Sequence, residues 1–203
     1  MPETVETIRA FREATFGPDA NRTPCQIVAR ALAEYAELMR ALEEFPPCPD
    51  AQIAAECADV MIVLCGLGLG ADVPIVRRHG DGAARDFRHD VGRGLTAAGR
   101  LYATFSRKMT GPPYPDPDVY VHFGVWLAAL AEICRLEGKR VLWEAVEDKM
   151  AVNRLRVWGR DPKTGLTHHV ACCMWHHTNP DRGEAQRREF PCSTSPHPHN
   201  RHA

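Results

Sequence analysis

Apolar residues recur along this chain at helical spacing. Val5, Ile8 and Phe11 mark one face of an amphipathic helix over residues 3–15. Gly17-Pro18 ends it. Thr23-Pro24 reads as an N-cap followed by a first-turn proline. Ile27, Ala31, Tyr35, Leu38 and Leu42 then form the stripe of a second helix that runs to about residue 45. FPPCPD breaks the pattern, and Asp50 is placed to cap a third helix over about 51–70. Residues 71–82 read as a loop. A fourth helix at about 83–109 is interrupted by Gly92, Gly94 and Gly99, and GPPYPDPD at 111–118 is a firm break. Two more helices follow at about 119–137 and 139–158, separated by Gly138. Beyond Trp158, GRDPKTGLTHHV has the make-up of a short hairpin, and residues 171–203, rich in His and Pro, read as a flexible tail. The expectation is an all-α antiparallel bundle of about five to six helices in one domain over residues 1–170, followed by the tail 171–203.

Composition narrows the classes. The 203 residues are 44% hydrophobic, enough for one core. Lys+Arg 25 against Asp+Glu 26 leaves a net charge of -1, which suggests neither a nucleic-acid groove nor a basic membrane surface. A small charged ligand needs only local charge, so it stays open. Of the eight cysteines, Cys57 and Cys65 sit inside an apolar run, where cysteine behaves as a small hydrophobe. The N-terminal segment is acidic and amphipathic and lacks a signal-peptide core. The uncharged run 60–71 is shorter than the ~20 residues a bilayer span takes. These features lead us to expect a soluble, reduced, cytoplasmic protein.

Candidate chemistry starts with acids in an apolar setting. On a helical wheel at about 100° per residue, Glu56 falls between Val63 and the Val60/Leu67 pair, and Asp59 falls between Val63 and Gly66. An ionised carboxylate in such surroundings is costly unless it is paired, protonated or bound to a cation. The preceding helix carries Glu34 and Glu37 one turn apart, with Glu34 at the edge of the apolar stripe. A short connection makes the two helices antiparallel neighbours, so the two acid pairs face one another. Four carboxylates in one cavity need cations between them, and hard oxygen ligands without His or Cys favour Mg²⁺ or Mn²⁺. The alternative is a solvated edge for Glu34 and Glu37 and a frayed first turn for Glu56 and Asp59, where acids favour the helix dipole.

The last helix adds Lys149, Asn153 and Arg156, spaced i, i+4, i+7 on one face. Two cations and an amide in a row suit phosphate oxygens. Taken alone, the stripe is equally an exposed basic face with Glu147 and Asp148 nearby.

At these residues the sequence resembles the all-α nucleoside triphosphate pyrophosphohydrolases, the MazG-like superfamily. That family pairs Glu-x-x-Glu with a later Glu-x-x-Asp, then a Lys and an Asn on a further helix. Here these are Glu34-Tyr-Ala-Glu37, Glu56-Cys-Ala-Asp59, and Lys149 with Asn153 in DKMAVNR. FREATFGP at 11–18 is similar to the opening of a dATP/dGTP pyrophosphohydrolase branch. The resemblance covers about residues 1–70 and 139–170, and 77–118 stands out as an insertion or extra helix. It implies Mg²⁺-dependent hydrolysis of a (deoxy)nucleoside triphosphate to the monophosphate and pyrophosphate. Glu34, Glu37, Glu56 and Asp59 would be the metal ligands, and Lys149, Asn153 and Arg156 would contact substrate. Glu37 or Glu56 would act as the base, and Lys149 would meet the departing charge. A helical bundle of this size also suggests a homodimer or homotetramer. The rival is a non-catalytic nucleotide-binding or partner-binding helical protein.

Other motifs carry less. The glycines of RHGDGAARD and DVGRGL lack the Gly-Lys-Ser/Thr and the preceding strand of a phosphate loop. Di-iron helical bundles want Glu-x-x-His pairs, and neither acid pair here ends in His. Cys172, Cys173, His176, His177 and Cys192 offer soft ligands for zinc, without the Cys-x-x-Cys repeat of a strong site.

Overall fold

A computed structural model describes residues 3–17, 23–44, 46–69, 87–107, 116–160 and 167–170. Among them are six α-helices: α1 (Val5–Phe16), α2 (Pro24–Glu43), α3 (Asp50–Leu64), α4 (Phe87–Phe105), α5 (Pro117–Leu136) and α6 (Leu142–Leu155). A 3₁₀ turn, Cys65–Leu67, extends α3. The expected all-α class holds. The chain divides into two compact units, Met1–Arg154 and Leu155–Ala203. In the second, β1 (Val157–Arg160) pairs antiparallel with β2 (Thr167–Val170), Val157 opposite Val170, forming the short hairpin suggested by GRDPKTGLTHHV. The His- and Cys-rich segment 171–203, with its candidate zinc ligands, lies outside the described residues, as does the expected loop at 71–82.

Local chemistry accounts for most helix ends. Thr4 caps α1 through its side chain, and Thr7 returns a bond to the Thr4 N–H, a reciprocal capping box. Pro24 opens α2 at its first turn, and Thr23 holds the N-cap position without a side-chain bond. Asp50 does not cap α3: Pro49 is the N-cap and Asp50 is the first helical residue. There its charge faces the positive end of the helix dipole. Asp116 caps α5 by accepting from the Asp118 N–H, with Pro117 next.

The first unit is built around α3. From Ile53 onward every α3 residue is buried except Ala55, Glu56 and Asp59. A helix apolar nearly all round belongs at the centre of a bundle. α2 packs along it, α5 covers another side, and α4 pairs extensively with α5 and also touches α2. Cys57 of α3 and Cys134 of α5 are both buried where these helices meet. The α5–α6 turn presses against α3, where a Cβ on Gly138 would come within 3.0 Å of the Ala54 nitrogen. α5 is long and apolar enough to cross a membrane, with mean hydropathy 1.4, and half of that window is buried in the bundle. Phe123, Trp126, Leu130 and Ile133 put that apolar surface into the core.

α4 runs without interruption through Gly92, Gly94 and Gly99, against the break suggested by those glycines. Gly94 has a packing reason. Tyr35 of α2 stands edge-on to Trp126 with ring centroids 6.0 Å apart and donates a 3.3 Å hydrogen bond to the Val91 carbonyl. A Cβ at Gly94 would lie 2.4 Å from the Tyr35 hydroxyl oxygen.

Candidate functional site

α3 opens to water through Ala55, Glu56 and Asp59 alone once it has entered the core, so its two acids form a window in an otherwise closed rod. The facing helix supplies the other two. Glu34 is buried on the inner edge of α2, 9% exposed, with its carboxylate against Arg30 one turn earlier. Glu37 lies a turn further on. Its side chain is 52% exposed, and Arg40 sits 3.6 Å from it.

The electrostatics record the register. Burial raises the Glu34 carboxyl above the ordinary carboxylate range, and among the acids Asp59 acts on it more strongly than Glu37. Burial also raises the Glu56 carboxyl; Asp59 adds to the shift, and Glu37 contributes more than Glu34. This ordering is the one expected of an antiparallel α2–α3 pair with Glu34 across from Asp59 and Glu37 nearer Glu56. The four acids feel one another, and each of the two raised carboxyls is held up first by lost hydration and then by like charge.

A further cation reaches this cluster from α6. Lys149 Nζ donates to Asp59 Oδ2 at 2.5 Å, joining positions 90 residues apart. Both side chains are mostly shielded, 16% and 23% exposed. The Lys149 charge also pulls the Glu34 and Glu56 carboxyls back down. Asn153, one turn beyond Lys149, is 6% exposed on the inner face of α6 with Met150 and Val146.

The helical stripe stops short of Arg156. α6 ends at Leu155, not near residue 158, and Arg156 is a bend residue in the second unit. Val157-Trp158 favour extended backbone, and pairing with Thr167–Val170 draws the chain out of the helix.

Arg12 is a feature that periodicity passed over. It is 7% exposed in α1, and burial lowers its guanidinium pKa; Arg30 and Arg9 also lower it, while Glu34 raises it. The signal was available: Val5, Ile8 and Arg12 share one helical face, and a base on an apolar stripe is a placement to question.

Does the set suit a divalent ion? Its chemistry does. The donors are all carboxylates, the ligand type of hard cations, and two of them are pushed toward protonation by burial first and then by neighbouring negative charge, the second of which a cation would relieve. As the side chains stand, no three His, Cys, Asp or Glu groups among the described residues converge on one point. Lys149 neutralises Asp59, Arg30 neutralises Glu34, and Glu37 turns to Arg40. Comparison with protein families, with curated proteins and with solved structures finds no match.

Proposed function

We propose that this chain is a nucleoside triphosphate pyrophosphohydrolase of the MazG-like kind, dependent on Mg²⁺ or Mn²⁺, cleaving a (deoxy)nucleoside triphosphate to the monophosphate and pyrophosphate. The observation that carries the reading is the half-open Glu56/Asp59 window of α3, faced by Glu34 and Glu37 of α2 and bridged by Lys149 of α6. Glu34, Glu37, Glu56 and Asp59 are the residues that would hold the ion. It would supply positive charge at the triphosphate and a more acidic water.

The chain's own groups do the rest. Water attacks the α-phosphorus, the bond to the bridging oxygen breaks, and pyrophosphate leaves. A carboxylate must take the proton from that water. Glu56 suits this better than Glu37, because burial raises its proton affinity while Glu37 stands half in solvent. Lys149 would meet the charge growing on the leaving group, and the shielded Asn153 amide would orient a phosphate or sugar oxygen. Arg156 has no part in this assignment, since α6 stops before it. The FREATFGP resemblance favours dATP or dGTP as substrate, and the size of the helical bundle favours a homodimer or homotetramer.

The test is direct. Protein, Mg²⁺ and each dNTP in turn are incubated, and pyrophosphate and monophosphate are quantified. Release from one or more nucleotides, lost in Glu56→Gln, is the expected result. Nucleotide binding without release would instead support a non-catalytic binding protein. The ion pairs that occupy Asp59, Glu34 and Glu37 favour that second reading.

A further inference from the structure

The α4–α5 pair carries a second polar site that shares no residue with the acid cluster. A groove of about 580 Å³ runs along it, within the range of cavities that take small molecules. Its lining includes Arg88, Arg93, Arg100 and His122, with Val121 and Val125 as an apolar wall, and contains no carboxylate. In a chain of net charge -1, such a concentration of guanidinium groups is local.

One of these arginines is fixed from behind. Asp90 is fully buried and accepts from Arg93 Nη1 at 3.2 Å. The carboxylate thus anchors the guanidinium while leaving it 30% exposed at the groove. Arg88 and Arg100 are exposed. Guanidinium groups at several points along one groove match the spaced oxygens of a polyphosphate, which they bind in forked pairs. The apolar wall of Val121 and Val125 suits a flat, weakly polar body attached to it.

We propose that this groove binds a free nucleotide through its phosphates, independently of divalent metal and of the acid cluster. The phosphates lie on Arg88, Arg93 and Arg100, and the base rests against Val121 and Val125. The two sites then differ in kind. One has carboxylates and needs a cation to accept a triphosphate; the other supplies its own cations.

ATP binding to the full chain is measured by calorimetry in EDTA, which silences any metal-dependent site. The expected result is saturable binding of about one ATP per chain. It should weaken at least tenfold in Arg88→Glu/Arg100→Glu and be unchanged in Glu34→Gln and Lys149→Ala. Circular dichroism checks that the Arg88→Glu/Arg100→Glu protein is folded, and both substitutions fall on exposed positions. No saturable binding in EDTA would overturn the proposal, as would binding that survives the double charge reversal. Failure here leaves pyrophosphate release in Mg²⁺ untouched, and a lack of pyrophosphate release leaves this groove untouched.

Discussion

Replacing Lys149 by Met probes the contact that ties α6 to the acid window. The Nζ–Oδ2 distance of 2.5 Å, at an effective dielectric of ~20, corresponds to about 7 kcal/mol of Coulomb attraction. Lost hydration of both groups offsets most of it, and a net coupling of about 1–3 kcal/mol remains. A cycle of Lys149→Met, Asp59→Asn and the double variant, followed by urea unfolding in EDTA, measures that coupling directly. The same substitution separates two roles of the lysine. If the acid cluster holds a divalent cation as proposed, Lys149 competes with it for Asp59, so removing the lysine should tighten Mg²⁺ binding several-fold, read by calorimetry. On the proposed reading Lys149 would also meet the leaving pyrophosphate, so kcat/KM should fall by about 100-fold or more, or roughly 3 kcal/mol of transition-state stabilisation. A fall in Mg²⁺ affinity would refute the competition argument. Unchanged kcat/KM would refute the placement of Lys149 at the reacting phosphates.

Further outcomes can be stated from the same geometry. In EDTA, stability should fall as pH rises from the ordinary carboxylate value of 4.5 upward through the raised folded values of Glu34 and Glu56. In that window the native state holds more protons than the unfolded chain; Glu56→Gln should flatten the decline seen in thermal melts at pH 5–7.5, and an identical slope in the variant would refute it. At neutral pH without metal, Glu56→Gln should raise Tm by about 1–3 °C, because it removes one of the crowded charges, and with Mg²⁺ present it should abolish turnover. Mg²⁺ at about ten times its Kd should stabilise the wild-type protein by about 1.4 kcal/mol, or about 3–5 °C, and do so less in Glu56→Gln. Gly94→Ala should cost about 1–3 kcal/mol by driving a methyl into the Tyr35 hydroxyl. Adding Tyr35→Phe should recover part of that loss, and a double variant no better than the single one would place the strain elsewhere.

The helices were legible because their causes are local. The Val5–Ile8 stripe, the prolines at 24 and 117 and the breaks at 17–18, 46–49 and 111–118 act within a turn or two of where they stand. The helical wheel placed Glu56 and Asp59 among apolar neighbours, and they are the half-open acids of a buried helix. Local rules also misled at two points. Three glycines read as interruptions of α4, yet helix α4 is held by its packing on α5 and α2, which outweighs a propensity cost of about 1 kcal/mol each. Arg156 read as the end of a helical stripe, yet β1–β2 pairing takes the chain out of the helix one residue earlier.

What the sequence determined by itself, then, is the set of rods and the residue types each rod presents. Periodicity and caps are written in neighbouring residues, and each turn of helix closes its own hydrogen bonds. What only the tertiary structure decided is which faces meet. Lys149 reaches Asp59, Arg12 is buried near Glu34, and Tyr35 fits over Gly94 because core packing fixes the distances between positions far apart in the chain. Packing of faces depends on the shapes of all the partners at once, so no single stretch of sequence contains it.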